Sequence, residues 1–285
     1  MRFMKNLFFA MCILFAVNPA FAKDIVYVET SEAKDKYHID LLKFLFKDDA
    51  NYQLKISKFT NLSYDRTKAE IEEGNVTIAA FATDTEIEKR LRPIRIPILK
   101  GLLGHRVFII RGDDQARFST VESFSDLLRY KAGQGRSWAD TAVLQNAGIP
   151  TVPVLKYPNL FYMLEGGRFD YFPRALHEPF SEIAARPELG LAVEKELMLV
   201  YPLALYLFVA RDNTELAQVI TDKLNAKIES GEFDEFFFNY PLIKDVLNKV
   251  NVQSRRVFRI DNPNLSPETP LENKSYWLNL EDLSE

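Results

Sequence analysis

The stretch Gly133-Gln134-Gly135-Arg136-Ser137-Trp138-Ala139-Asp140-Thr141 decides how the rest of the chain is read. A helical pattern follows it to Ala147, then a strand-like Val152–Leu155, and then Met163-Leu164-Glu165-Gly166-Gly167-Arg168-Phe169-Asp170-Tyr171-Phe172-Pro173-Arg174. The pattern is a glycine-rich turn that opens a helix at Ser137, with the chain returning to a strand that ends in a second polar loop near Glu178. Ligands of open α/β sheets bind at such strand-to-helix turns, beyond the carboxyl ends of the strands. Free backbone N–H groups and the helix dipole make the first turn an anion site. These residues point to capture of a small polar molecule and not to its conversion.

Working outward, strand-like and helix-like patterns alternate along the whole chain. Asp24–Glu29 and Val76–Phe81 are apolar strands, and Ile39, Leu42, Leu45 and Phe46 fall at helical spacing between them. His105–Ile110 is another strand, and Leu199–Ala210 a strand pair or one long strand. Phe169–Phe172 is a strand, and Leu216, Val219, Ile220, Leu224 and Ile228 mark an amphipathic helix stopped by Gly231. This alternation predicts an α/β fold. The apolar segments near 105 and 205 read as crossings between two lobes, the second inserted in the first. The interlobe cleft is then the ligand site, and hinge closure the motion.

The N-terminus predicts export. Arg2 and Lys5 precede the apolar run Leu7–Val17, and Ala20-Phe21-Ala22 supplies small residues for cleavage, the pattern of a secretory signal peptide over 1–22. Cys12, the sole cysteine, lies inside that run, so a chain beginning at Lys23 has no disulfide, thiol nucleophile or cysteine-based zinc site. The full chain carries a net charge of −4, and cleavage would remove two cations and no acid. No basic stripe marks a nucleic-acid surface. Leu197–Ala210 contains Pro202 and falls short of the ~20 apolar residues that span a bilayer.

In segment order the chain resembles the periplasmic solute-binding proteins of the type II fold, those related to the amino-acid-binding receptors of ABC importers. The resemblance rests on Thr83-Asp84-Thr85-Glu86 before Leu91–Ile98, then Gly133–Thr141, then Gly167–Asp170. It implies a two-lobe α/β architecture with a hinge and an interlobe ligand cleft. Lobe 1 is expected over 23–106 and 205–260, lobe 2 over 107–204, and an extended tail packing on lobe 1 over 261–285. It also implies a monomer that delivers an amino-acid-like or anionic solute to an inner-membrane ABC permease. A sensory module reporting to a signalling partner, and a periplasmic dehydratase on the same fold, are the other functions it admits. No metal or organic cofactor is implied.

Such receptors hold a ligand carboxylate with a first-lobe arginine and its ammonium with a second-lobe acid. Here Ile87 stands where the arginine is expected, unless Arg90 fills the role in a shifted register, and Pro173-Arg174-Ala175 stands where the acid is expected. Arg174 is therefore expected to attract an anionic group. The candidate ligand-binding residues are Tyr37, Thr83, Thr85, Glu86, Arg136, Ser137, Trp138, Arg174 and Glu178. Several have structural readings too. Ser137 with Asp140, and Thr83 with Glu86, fit a helix-capping pattern. Tyr37 and Trp138 fit ordinary packing, and Glu178 fits a counter-charge for Arg174. His38, His105 and His177 form no metal-spaced pair. No serine-hydrolase elbow, phosphate loop or zinc-protease motif is present.

Overall fold

The computed structural model describes residues 22–30, 33–60 and 62–280. The expected signal peptide lies outside the described residues, apart from Ala22. Twelve strands are described, running from β1 (Lys23–Tyr27), β2 (Tyr52–Ile56), β3 (Ile78–Ala82) and β4 (Leu91–Ile94) through β5 (His105–Arg111), β6 (Ala132–Gly135), β7 (Thr151–Val154) and β8 (Phe172–Ala175) to β9 (Leu191–Val193), β10 (Leu197–Val200), β11 (Leu205–Ala210) and β12 (Arg256–Arg259).

The strands form two groups. In the first, β11 runs antiparallel between β3 and β4. The parallel pair β1–β2 joins this sheet where Thr77 N–H donates to Val26 O. In the second, the order is β12-β10-β5-β8, with β9 also paired to β5. The parallel pair β6–β7 joins it through a bridge between Ala132 and Tyr171. Each group carries helices. Ile25, Leu42, Leu207 and Ile220 belong to one core, and Phe108, Leu127, Leu144 and Tyr171 to another. The first core reaches into the second group at Val107 and Met198. β5 is buried along its length except at its two ends, and its middle, Val107–Ile110, is apolar throughout.

The chain passes between the groups at Leu102–His105 and again at Tyr201–Leu205. The two connections touch: Tyr201 N–H donates to Gly104 O, and a Cβ on Gly104 would lie 2.0 Å from Tyr201 O. Leu199–Ala210 is thus two strands that do not pair with each other. β10 pairs with β5 and β12, β11 with β3 and β4, and Pro202 lies in the break between them. A third crossing follows. β12 lies parallel to β10 in the second group, although 205–260 was expected to remain with the first. A fourth crossing at 260–262 then returns the chain, and residues 262–280 run across the first lobe. Asn264 O accepts from Thr85 N–H, Leu278 N–H donates to Lys100 O, and Glu268 pairs with Arg95.

The glycines of the opening stretch do a different job from the one expected. Gly133 and Gly135 lie within β6, neither with positive φ, and the turn begins only at Arg136. A Cβ at Gly133 would meet the Phe169 ring at 2.2 Å, and one at Gly135 the Trp138 ring at 2.4 Å. They are glycine because aromatic rings lie flat on the strand. The strand expected at Phe169–Phe172 begins three residues later as β8, because Phe169 is used for that packing. Among the described residues, no helix is long and apolar enough to cross a membrane, and no cluster of metal-binding side chains occurs.

Candidate functional site

A cavity of about 60 Å³ lies where the two lobes meet. From the first lobe, Tyr64, Lys68, Phe81 and Asp84 reach it; from the second, Arg106, Ser137, Trp138, Asp140, Arg174 and Glu178. Tyr64 and Lys68 are one helical turn apart on the helix Tyr64–Glu72, so they share a face. Asp84 caps the helix Thr85–Arg90, its Oδ1 accepting from Glu86 N–H at 2.9 Å and Ile87 N–H at 2.7 Å. Tyr64 and Trp138 bring their rings within 6.4 Å across the cleft.

The second-lobe wall is a closed charge network. Arg106, at the start of β5, places Nη2 2.9 Å from Asp140 Oδ2 and Nη1 3.7 Å from Glu178 Oε2. Asp140 also accepts from Gln134 Nε2 at 2.8 Å and from Tyr201 O–H at 3.2 Å. Arg174, at the end of β8, grips Glu182 with Nε at 2.8 Å and Nη2 at 2.6 Å, and Nη2 also reaches Glu178 at 2.6 Å. Tyr157 O–H donates to the same Glu182 at 2.6 Å. The Arg174 guanidinium lies 5.0 Å from the Trp138 ring and 4.8 Å from the Phe172 ring. Both arginines are almost wholly buried.

Burial opposes the charge on Arg106, but Tyr201, Asp140 and Glu178 outweigh it and raise its pKa. Arg174 is raised well above the ordinary arginine value, burial being outweighed by Glu178 and Glu182. Arg106 Nε is buried without a hydrogen-bond partner. The Arg174 donors Nε and Nη2 are spent on carboxylates, so its charge is already answered within the protein.

Four of the nine expected residues line this cavity: Ser137, Trp138, Arg174 and Glu178. The others lie elsewhere. Tyr37 is buried in the first-lobe core, its O–H donating to Ile98 O at 2.8 Å and its ring against Tyr240 and Phe236. Thr83 is fully buried, its hydroxyl donating to Glu88 at 2.5 Å. Thr85 N–H is taken by the tail at Asn264 O. Glu86 is exposed and paired with Lys89, and Arg90 is held by Glu72 at 2.7 Å. Arg136 is exposed and does not line the cavity.

Neither expected capping box forms. Asp84 and not Thr83 caps the first helix, and the helix Ala139–Asn146 starts after Trp138 with no side-chain cap. Asp140 turns inward to Arg106 instead. Sequence reasoning missed Arg106, Asp84, Tyr64 and Lys68. A cation inside the apolar run His105–Ile110, at a crossing, was the available signal for the first of these.

No protein-family model matches the chain, and no curated protein matches it. Solved structures do. An ancestral arginine-binding protein bound to arginine superposes with a TM-score of 0.59 at 15% identity, over 79% of this chain and all of that one. An arginine-specific periplasmic binding protein from Salmonella typhimurium gives 0.57 at 19%, over 75% and 97% of the two chains. An ancestral amino-acid-binding protein described as a precursor of cyclohexadienyl dehydratase gives 0.55 at 13%, over 76% and 95%. Identities this low carry the fold alone. The chain has the two-lobe α/β fold of the type II periplasmic binding proteins.

Proposed function

We propose that the protein is a periplasmic solute-binding protein that captures a small, amino-acid-like solute between its lobes and delivers it to an ABC importer. The observation behind this reading is the interlobe wall itself. It carries three cations, Lys68, Arg106 and Arg174, and three carboxylates, Asp84, Asp140 and Glu178, under an aromatic pair drawn from both lobes. A wall so balanced suits a solute bearing both charges. The preference for an anion expected of Arg174 is offset by Glu178 and Glu182. Arg106, with a buried unused donor, is the better partner for a ligand carboxylate.

A cavity of about 60 Å³ has room for a handful of waters, at ~10–15 Å³ each. Admitting a metabolite therefore requires the lobes to part about the connections at Leu102–His105 and Tyr201–Leu205, with lobe 2 inserted over about 107–204. Binding energy then favours closure through contacts made only when both walls meet the ligand. The test is thermal unfolding against amino acids, dicarboxylates, polyamines and short peptides. A true ligand at a hundred times its dissociation constant adds ~2.7 kcal/mol. A panel without any shift, on protein shown to be folded, refutes the reading.

A second reading, a dehydratase on this fold, is favoured by the likeness to a dehydratase precursor. It needs a placed acid. Of the two considered, Glu86 faces solvent, and Glu178 is at the cleft but paired with Arg174. Incubation with prephenate or arogenate decides it, and absence of aromatic product retires it.

A further inference from the structure

A second cavity, of about 850 Å³, lies on the other side of the crossing strands. His105 and Arg106 are neighbours on β5 and so point to opposite faces. Arg106 lines the interlobe cleft, and His105 lines this second cavity. Its floor is formed by Met198 and Val200 of β10 beside Val257 and Arg259 of β12, paired in register as Met198 with Val257 and Val200 with Arg259. Its roof is the returning tail, through Leu271, Lys274, Trp277, Leu278 and Leu280. That tail is fixed to the first lobe. Lys100 Nζ donates to Ser275 O at 3.0 Å, and Tyr276 O–H donates to Asn225 at 2.7 Å.

The charged side chains of the lining are cationic. Arg255, Arg259 and Lys274 contribute to it and, among the described residues, no aspartate or glutamate does. Arg255 has a side chain only 5% exposed. Its Nη1 donates to Leu197 O at 2.8 Å, while Glu194 stands 3.6 Å away, and its Nε is buried without a hydrogen-bond partner. Burial lowers its pKa, with Glu194 only partly compensating. Most of the remaining lining is aliphatic or aromatic. Volumes of ~300–1,000 Å³ with apolar walls and a few placed polar groups are characteristic of small-molecule sites.

We propose that this cavity is a second ligand site, taking a small organic anion with a substantial apolar body, such as a medium-chain carboxylate, its acid group against Arg255. The floor belongs to the second lobe and the roof is anchored on the first, so an occupant touches both beside the hinge. Its affinity therefore differs between open and closed lobes, and it is coupled to solute binding reciprocally.

The chain's two tryptophans separate the two sites, Trp138 in the cleft and Trp277 in this cavity. In a Trp138→Phe protein, decanoate below its micellar concentration should change Trp277 emission saturably. Decanol, of equal length and no charge, should bind about tenfold or more weaker, since a hydrogen bond to a charged group is worth that much. Arg259→Glu, at an exposed position, should weaken decanoate at least as far, and Arg255→Gln should do the same. The proposal falls if emission does not saturate, or if both variants bind decanoate like the parent. It also falls if decanoate binds only after residues 281–285 are removed, which would assign the cavity to the chain's own acidic end. A Trp277→Phe protein titrated with cleft ligands reads the other site, so one reading can fail without the other.

Discussion

Glu182→Gln is the substitution whose cost the structure fixes best. Glu182 is buried and receives two nitrogens of the equally buried Arg174, with Tyr157 O–H as a third donor. The change keeps the shape and removes the charge. Breaking a buried ion pair from one side costs ~3–5 kcal/mol, because the surviving charge stays desolvated. Here Glu178 still meets Arg174 at 2.6 Å, which puts the expectation at the lower end, about 3 kcal/mol. At ~2–4 °C per kcal/mol for a protein of this size, the midpoint should fall by roughly 6–12 °C. Urea unfolding at neutral pH, followed by circular dichroism, measures it. The double variant Arg174→Met/Glu182→Leu should recover part of the loss, since no uncompensated guanidinium stays buried, although Glu178 then keeps only Arg106 at 3.7 Å. A single-variant cost under about 1 kcal/mol, or a double variant no better than the single, would refute the claim that burial makes this pair matter.

Three further outcomes are expected. Arg106→Gln should abolish the thermal shift given by any cleft ligand while leaving a folded protein; an undiminished shift would remove Arg106 from the site. His105, held by burial at a pKa of about 4 against an ordinary 6.5, is neutral when folded. The unfolded chain therefore binds its proton first, so stability falls as pH drops from about 6.5 to about 4, by at most ~3 kcal/mol and less for its partial exposure. His105→Gln should flatten that slope in pH-dependent urea titrations, and an unchanged slope would show that other groups carry it. Gly104→Ala places a methyl 2.0 Å from the Tyr201 carbonyl, a backbone atom that cannot swing away. A loss of ~2 kcal/mol or more should appear in the same unfolding assay, and a stable variant would mean that the crossings do not lie this close.

The fold was readable from alternation and from the two apolar crossings, because buried strands between helices leave long apolar runs. The site was readable only in part. Trp138, Arg174 and Glu178 sit at strand ends, where sequence order alone puts them near a cleft. The pairing of Arg174 was not legible because its partner, Glu182, comes from the following helix, Pro179–Ala184, and only the folded turn at His177 and Glu178 brings it back. Thr83 faces the core, Thr85 gives its backbone N–H to the tail, and Glu86 faces solvent. Facing depends on where a helix begins, and the cap at Asp84 sets that one residue later than the motif suggested. Tyr37, offered as a ligand residue or ordinary packing, has the surroundings of a core residue, set by Phe236 and Tyr240 some two hundred residues away.

The detour of the chain through β12 has a mechanical consequence. Two strands between two bodies form a ribbon, which can twist about its length as readily as it bends. Two further passages, one into β12 between Lys249 and Arg256 and one out of it at 260–262, where Asn262 is tied to Pro202 O, turn the ribbon into a plate. Torsion then strains the outer strip while bending does not, so the lobes should swing like a door on a wide leaf. The strip also continues from the edge strand of one body to the strap of the other, so a label attached to the strap would report the angle of a lobe it does not belong to.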